Sequence, residues 1–156
     1  MKKTPLILPL LALISLLSGC AISQNVTPVD STTSISKIFV LENEKVHMDG
    51  LIDELVGQIS DMGFESEKYQ GDRPESATNY LTYTANWQWD LAMYLTYFKA
   101  TLYEDEKVLG EVEYDARKGS GNMGKFGKTA DKVRPLLVEL LEKVDRGTPP
   151  PALGNE

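Results

Sequence analysis

The sequence predicts an α+β domain: a two-layer sandwich in which a mainly antiparallel sheet of about four strands carries two amphipathic helices on one face. Three observations carry this reading. Residues 45–62 place Met48, Leu51, Ile52, Leu55, Ile59 and Met62 at steps of three and four, the signature of one apolar helical stripe. Within 79–114, Leu81–Trp89 and Glu111–Tyr114 alternate apolar and polar side chains, the period of a strand with one buried face. A second stripe, Val133, Leu136, Leu137, Leu140, Leu141 and Val144, follows near the C-terminus. Each helix has a single stripe, so the simplest burial sets both on one sheet face and leaves the other wholly or partly exposed.

Taken in order, Ile35–Leu41 is rich in β-branched and aromatic residues and reads as a strand. The first helix follows, with Asp49, Asp53, Glu54 and Asp61 mostly off its stripe and Gly63 suited to the position just past its end. Phe64–Tyr69 has room for a short strand, and 71–77 (GDRPESA) is a loop. In 79–103, Leu81, Tyr83, Ala85, Trp87 and Trp89 alternate with Thr82, Thr84, Asn86 and Gln88. That run is too long for one ordinary strand, so it either reverses near Asn86–Leu91 or is bent or bulged. The polar turn 104–107 leads into a strand at Val108–Tyr114, completing a hairpin. A glycine-rich loop, 119–127, precedes the last helix. Pro135 is expected in that helix's first turn, where a missing N–H costs nothing, which sets its start near Asp131.

The chain has 156 residues, room for one domain, with a net charge of −7. The acidic excess argues against nucleic acid as a partner, since binding there rests on neutralising phosphates. A single cysteine excludes an intramolecular disulfide and any Cys-based zinc site, and a single histidine makes a His-rich metal centre or a histidine-dependent triad a poor fit. No metal and no cofactor is expected.

The first twenty residues carry an address. Lys2 and Lys3 form a positive n-region, and the apolar run Pro5–Ser18 is short for a bilayer span of about 20 residues but fits a secretory h-region. It ends Leu17-Ser18-Gly19-Cys20, with an aliphatic residue, two small residues and a cysteine. This resembles the lipobox of bacterial lipoproteins. The resemblance covers residues 1–20 and implies that 1–19 is a signal peptide, that the Cys20 thiol takes a diacylglycerol, and that the new amine is acylated, with chains such as palmitate. Ala21 stands where the enteric sorting pattern uses Asp for inner-membrane retention, which implies the outer membrane, periplasmic side. The mature chain then has 14 basic and 23 acidic residues, a net charge of −9.

Residues 20–34 are polar, small and Pro-containing, and read as a flexible tether after the lipidated cysteine. Residues 146–156 (RGTPPPALGNE) read as a disordered tail. A single domain is expected over 35–145.

Candidate chemistry is sparse. Gly119-Ser120-Gly121-Asn122-Met123-Gly124 matches G-x-G-x-x-G, but the helix after it is the last element, so no second parallel strand with its acidic residue can follow. Gly127-Lys128-Thr129 resembles the end of a P-loop, yet Asn122 stands where the first glycine is required. The loop's charge is more informative: Arg117, Lys118, Lys125, Lys128, Lys132 and Arg134 against Asp131 alone give 117–134 a net +5 in an acidic protein. Lys125, Lys128 and Arg134 are the candidate anion-binding residues, for lipid headgroups, an anionic envelope polymer or an acidic protein, with Met123 and Phe126 as apolar contacts. The competing reading is a solvated loop that balances the acidic hairpin 104–115. The aromatic belt between Tyr80 and Tyr103, centred on Trp87-Gln88-Trp89-Asp90, is either core or a platform for sugar rings or a partner; on one alternating face Tyr83, Trp87 and Trp89 would be core, while Tyr80 and Tyr94 need another environment. His47, the acids 104–106, Ser120 and Thr129 lack the neighbours that metal or nucleophile chemistry requires.

The function expected is that of a lipid-anchored, non-enzymatic accessory or scaffold module in envelope assembly or maintenance. Its partners are the membrane, through the lipid on Cys20, and an envelope protein or anionic polymer. The alternative is a small-ligand or lipid-binding module using the exposed sheet face.

Overall fold

The chain enters the fold as a strand. In a computed structural model, which describes residues 22–119 and 121–147, Ser23–Thr27 forms β1. There follow β2 (Lys37–Leu41), α1 (Leu51–Asp61), β3 (Glu65–Tyr69), β4 (Asn79–Asp90), β5 (Ala92–Glu104), β6 (Lys107–Asp115), a 3₁₀ turn at Met123–Lys125 and α2 (Thr129–Leu141). The six strands form one sheet in the order β1-β6-β5-β4-β2-β3. The pairings from β1 through β4 are antiparallel; β2 runs parallel to both β4 and β3. The α+β class stands, and the expectation of about four strands is an undercount.

One strand it missed corrects the tether expected over 20–34. Along Ser23–Thr27 only Val26, opposite Val112, turns toward the core, and the backbone ladder to β6 does the rest. Polar composition conceals such an edge strand, because main-chain hydrogen bonds need no particular side chain. The segment after it is also held: the Val29 and Ile35 side chains are buried, Val29 N–H donates to Leu140 O at 3.0 Å, and Ile35 N–H to Asp145 O at 2.8 Å. The folded body therefore begins well before residue 35. It also runs past 145: the Arg146 guanidinium lies over the Phe64 ring, and Gly147 N–H donates to Asp145 Oδ1. Residues 148–156 of the expected tail, and the signal and lipobox with Cys20 and Ala21, lie outside the described residues.

β2 and β3 flank α1 in a parallel βαβ unit. β2 buries Ile38, Phe39 and Val40 in succession, as an interior strand with neighbours on both sides does. α1 starts later than the pattern alone suggested. The Asn43 side chain accepts from Lys45 N–H and donates to Tyr83 O, which holds the stretch before the helix as a loop. Gly63, at φ 90°, ends α1 as expected.

Pro135 is not in the first turn of α2. The helix begins at Thr129, so the carbonyl that proline leaves without an N–H partner belongs to Asp131. Both residues are exposed, so water can serve that carbonyl.

The core is one cluster. α1 contributes Leu51, Ile52, Leu55 and Ile59; α2 contributes Val133, Leu136, Leu137, Leu140 and Leu141. Both sets meet Leu81, Tyr83, Ala85, Phe98, Ala100, Leu102, Val112 and Tyr114, the alternate residues of β4, β5 and β6. Gly110 is required where α2 comes closest to the sheet. A β-carbon there would sit 2.7 Å from Leu140 Cδ1 and 2.7 Å from the Thr27 carbonyl oxygen.

Candidate interaction surfaces

The long hairpin is the main feature that positions a surface. Its register is regular from Asn79↔Glu104 to Asn86↔Tyr97, then shifts. Thr96 is the extra residue, and its hydroxyl donates to Asn86 O at 2.9 Å. Beyond this bulge the hairpin leaves β6 behind, since Tyr97 pairs with Asp115, the last residue of β6. The reversal expected near Asn86–Leu91 falls at Leu91, φ 62°, between the paired Asp90 and Ala92.

The glycine-rich loop braces this overhang. Asn122 Oδ1 accepts from Gly124 N–H at 2.8 Å and starts the 3₁₀ turn. The turn delivers Lys125 to Asp90, Nζ to Oδ2 at 2.5 Å, and Phe126 edge-on to Tyr94 with ring centroids 5.7 Å apart. The Lys125 ammonium also lies over the Tyr94 and Phe126 rings, and Lys132 donates to the Lys125 backbone carbonyl. Burial pushes the Lys132 ammonium below its ordinary pKa. Trp87 Nε1–H donates to Thr129 Oγ1 at 3.2 Å, tying the hairpin to the first turn of α2.

The three candidate anion-binding residues are thereby separated. Lys125 is only 2% exposed, and its charge is directed at the half-exposed Asp90 carboxylate beside the hairpin turn. Arg134, on α2, reaches Asp61 of α1 at 3.3 Å. Lys128 is exposed just before α2, and Lys118 is exposed earlier in the loop. Arg117 folds back on Asp115 and covers the Tyr97 ring. Its Nη2 and Nε donate to the Asp115 carboxylate at 2.6 and 2.9 Å and, with its backbone N–H, hold that carboxyl down at about 2. The loop is thus in large part a structural brace built from charge.

The aromatic belt divides three ways. Tyr83 is core and Trp87 is half-buried beneath α2, whereas Trp89, expected with them, is 71% exposed. Tyr94 finds its environment against the loop. Tyr80 stacks on Tyr103 at 5.0 Å on the sheet face away from the helices, with the Arg73 guanidinium above it. That open face continues through Thr82, Thr84, Lys99 and Thr101, which line a shallow hollow of about 200 Å³. Lys99 bridges to Glu111 at 2.9 Å across it.

Sequence reasoning offered Trp89 as core or as a platform but missed Leu91 and Met93, which join it at the hairpin tip. Trp89 and Met93 are direct cross-strand partners, 71% and 53% exposed, and Leu91 at the turn is 82% exposed. The available signal was Leu91 itself, a large apolar residue at a reversal that polar residues or glycine usually fill. Among the described residues no group of His, Cys, Asp and Glu side chains assembles a metal site, and no helix is long and apolar enough to cross a membrane.

No protein-family model and no curated protein sequence matches the chain. Solved structures do match. The PelC dodecamer from Paraburkholderia phytofirmans superposes with a TM-score of 0.52 at 9% identity, covering 82% of this chain and 100% of that one. A substituted form of the same protein gives 0.53 at 10% identity, covering 79% and 96%. At such identity the likeness is one of fold.

Proposed function

We propose that this chain is a lipid-anchored lipoprotein of the outer membrane, facing the periplasm, that acts by binding as an accessory or scaffold in envelope assembly or maintenance. The observation that supports binding a macromolecule is the open sheet face. It is broad, carries the Tyr80–Tyr103 stack, and holds a shallow hollow of about 200 Å³, with another of about 400 Å³ at its edge where Leu41 and Thr82 meet residues 42–45. A broad face of aromatic and threonine side chains suits an extended protein or polymer surface, whereas the hollow of about 400 Å³ at its edge falls within the range of about 300 to 1,000 Å³ for small-molecule sites and is where a small ligand would sit. The lipobox supports the anchor. The alternative, a small-ligand or lipid-binding module, would use the same face.

A photoreactive phenylalanine in place of Tyr103 tests the surface. In intact envelopes it should give a discrete adduct, and the same residue at Glu139 on the exposed side of α2 should not. No adduct at Tyr103, or equal yields at both positions, would sink the reading. A retained lipid or sugar in a native mass spectrum, without a protein adduct, would favour the alternative. The anchor has its own test: Cys20→Ser should abolish palmitate labelling, and Ala21→Asp should redirect the protein to the inner membrane of an enteric host.

A further inference from the structure

Four large apolar side chains stand out at one end of the molecule: Trp89, Leu91 and Met93 on the hairpin tip, and Met123, 75% exposed, on the bracing loop. The Lys125–Asp90 ion pair and the Tyr94–Phe126 contact hold the loop against the tip, so the four share that end. Exposed apolar side chains grouped in this way mark a contact surface.

The register shows what else emerges there. Ser23 pairs with Asp115, Asp115 with Tyr97, and Tyr97 with Asn86, so the start of β1 lies level with the last rung before the overhang. β1 runs away from that end, so the chain preceding Ser23 leaves the sheet on the tip side. Ile22 already lies against the bracing loop, its Cγ1 3.1 Å from where a Gly119 β-carbon would be. Cys20 is three residues before Ser23, a reach of at most about 11 Å. The overhang, Trp87 to Asp90, projects about 13 Å in the same direction. A lipid on Cys20 would leave the domain no long tether and bring this end to the membrane surface. Exposed Lys118 and Lys128 lie on the loop beside it.

We propose that this end of the molecule docks on the phospholipid surface that carries the anchor. Trp89, Leu91 and Met93 enter the headgroup boundary, and Lys118 and Lys128 face anionic headgroups. Tryptophan suits that depth, because its ring is amphipathic. A basic rim adds attraction to an anionic leaflet. A second copy of the chain is the competing occupant, and the test below separates the two. The reach argument rests on the lipid-anchor reading; the exposed cluster does not.

The test uses the purified full mature protein on phosphatidylethanolamine–phosphatidylglycerol vesicles containing lipids with brominated acyl chains. Tryptophan emission should shift to the blue and be quenched. Trp89→Phe should remove the quenched component and leave the Trp87 emission unchanged. Quenching should be stronger than on uncharged phosphatidylcholine vesicles, and Lys118→Gln with Lys128→Gln should erase that difference. Emission unquenched while the protein sits on the vesicles overturns the inference and leaves the anchor reading intact. A blue shift that needs no vesicles and grows with protein concentration also overturns it, in favour of self-association. If mass spectrometry finds no acyl group on Cys20 yet Trp89 is quenched, the docking surface stands and the anchor reading falls.

Discussion

The root and the tip of the β4–β5 hairpin are the same two strands with the same alternation, and they meet opposite fates. At the root, β2 and β6 flank the pair and core side chains from both helices join the cluster that covers it, so Leu81, Tyr83, Ala85, Phe98, Ala100 and Leu102 are buried. Past the Thr96 bulge β6 has ended, and Trp89 and Met93 continue the apolar pattern into solvent. The pattern states which side of a strand is apolar; whether anything covers that side depends on where the neighbouring strands and helices stop.

This contrast can be broken most forcibly at the root. Phe98→Ala should cost about 3–5 kcal/mol in urea unfolding, because a fully buried ring leaves a cavity that the surrounding side chains fill only in part. A loss below about 1 kcal/mol, the range of surface substitutions, would mean that the root is not the core it looks to be.

Next in size is the β1 edge. Gly110→Val should destabilise by about 1–3 kcal/mol, since the new β-carbon meets the Thr27 backbone oxygen and Leu140, and backbone cannot step aside cheaply. Amide exchange should rise selectively over Ser23–Thr27. Unchanged protection there would mean that β1 does not depend on this close approach.

These elements show how far the sequence could be read. The stripes of α1 and α2 and the turns of both hairpins were legible because 3.6- and two-residue periods report directly on burial. β1 was not, because SQNVT turns one apolar residue inward and is otherwise held by its backbone. The parallel pairing of β3 was hidden for a similar reason: ESEKY is charged, and Lys37–Glu67 and Lys68–Asp53 bridges run along it. At the candidate site, residue type identified Lys125 as a cation, but not that Asp90, 35 positions away, would claim it. Pairing of that kind is a property of the fold.

The brace should matter less than the root or the edge. Lys125→Met should cost about 1 kcal/mol, because Asp90 is half-exposed and water can replace its partner. Its signature should be faster amide exchange in 119–127, with the root unaffected. Uniform loss of protection would show instead that the loop belongs to the core.

The Asp115–Arg117 clasp gives a smaller effect still, with a defined sign. The Asp115 carboxyl titrates at about 2 in the fold, against about 3.9 in an unfolded chain. A depressed carboxyl adds stability above the unfolded value, and that contribution is lost as pH falls through the folded one. Carboxyl carbon shifts should place the Asp115 midpoint well below those of ordinary aspartates, and Arg117→Gln should raise it. An ordinary midpoint in the unsubstituted protein would remove the clasp.

The measurement that bears most directly on the contrast is the urea unfolding of Trp89→Ser, Leu91→Ser and Met93→Ser combined, followed by far-UV circular dichroism. If the tip is a contact surface that the fold does not need, the unfolding free energy should match that of the unsubstituted protein to within about 0.5 kcal/mol. A loss of about 2 kcal/mol or more, the scale of burying a large apolar side chain, would show that the tip is covered within the protein itself and contradict the account.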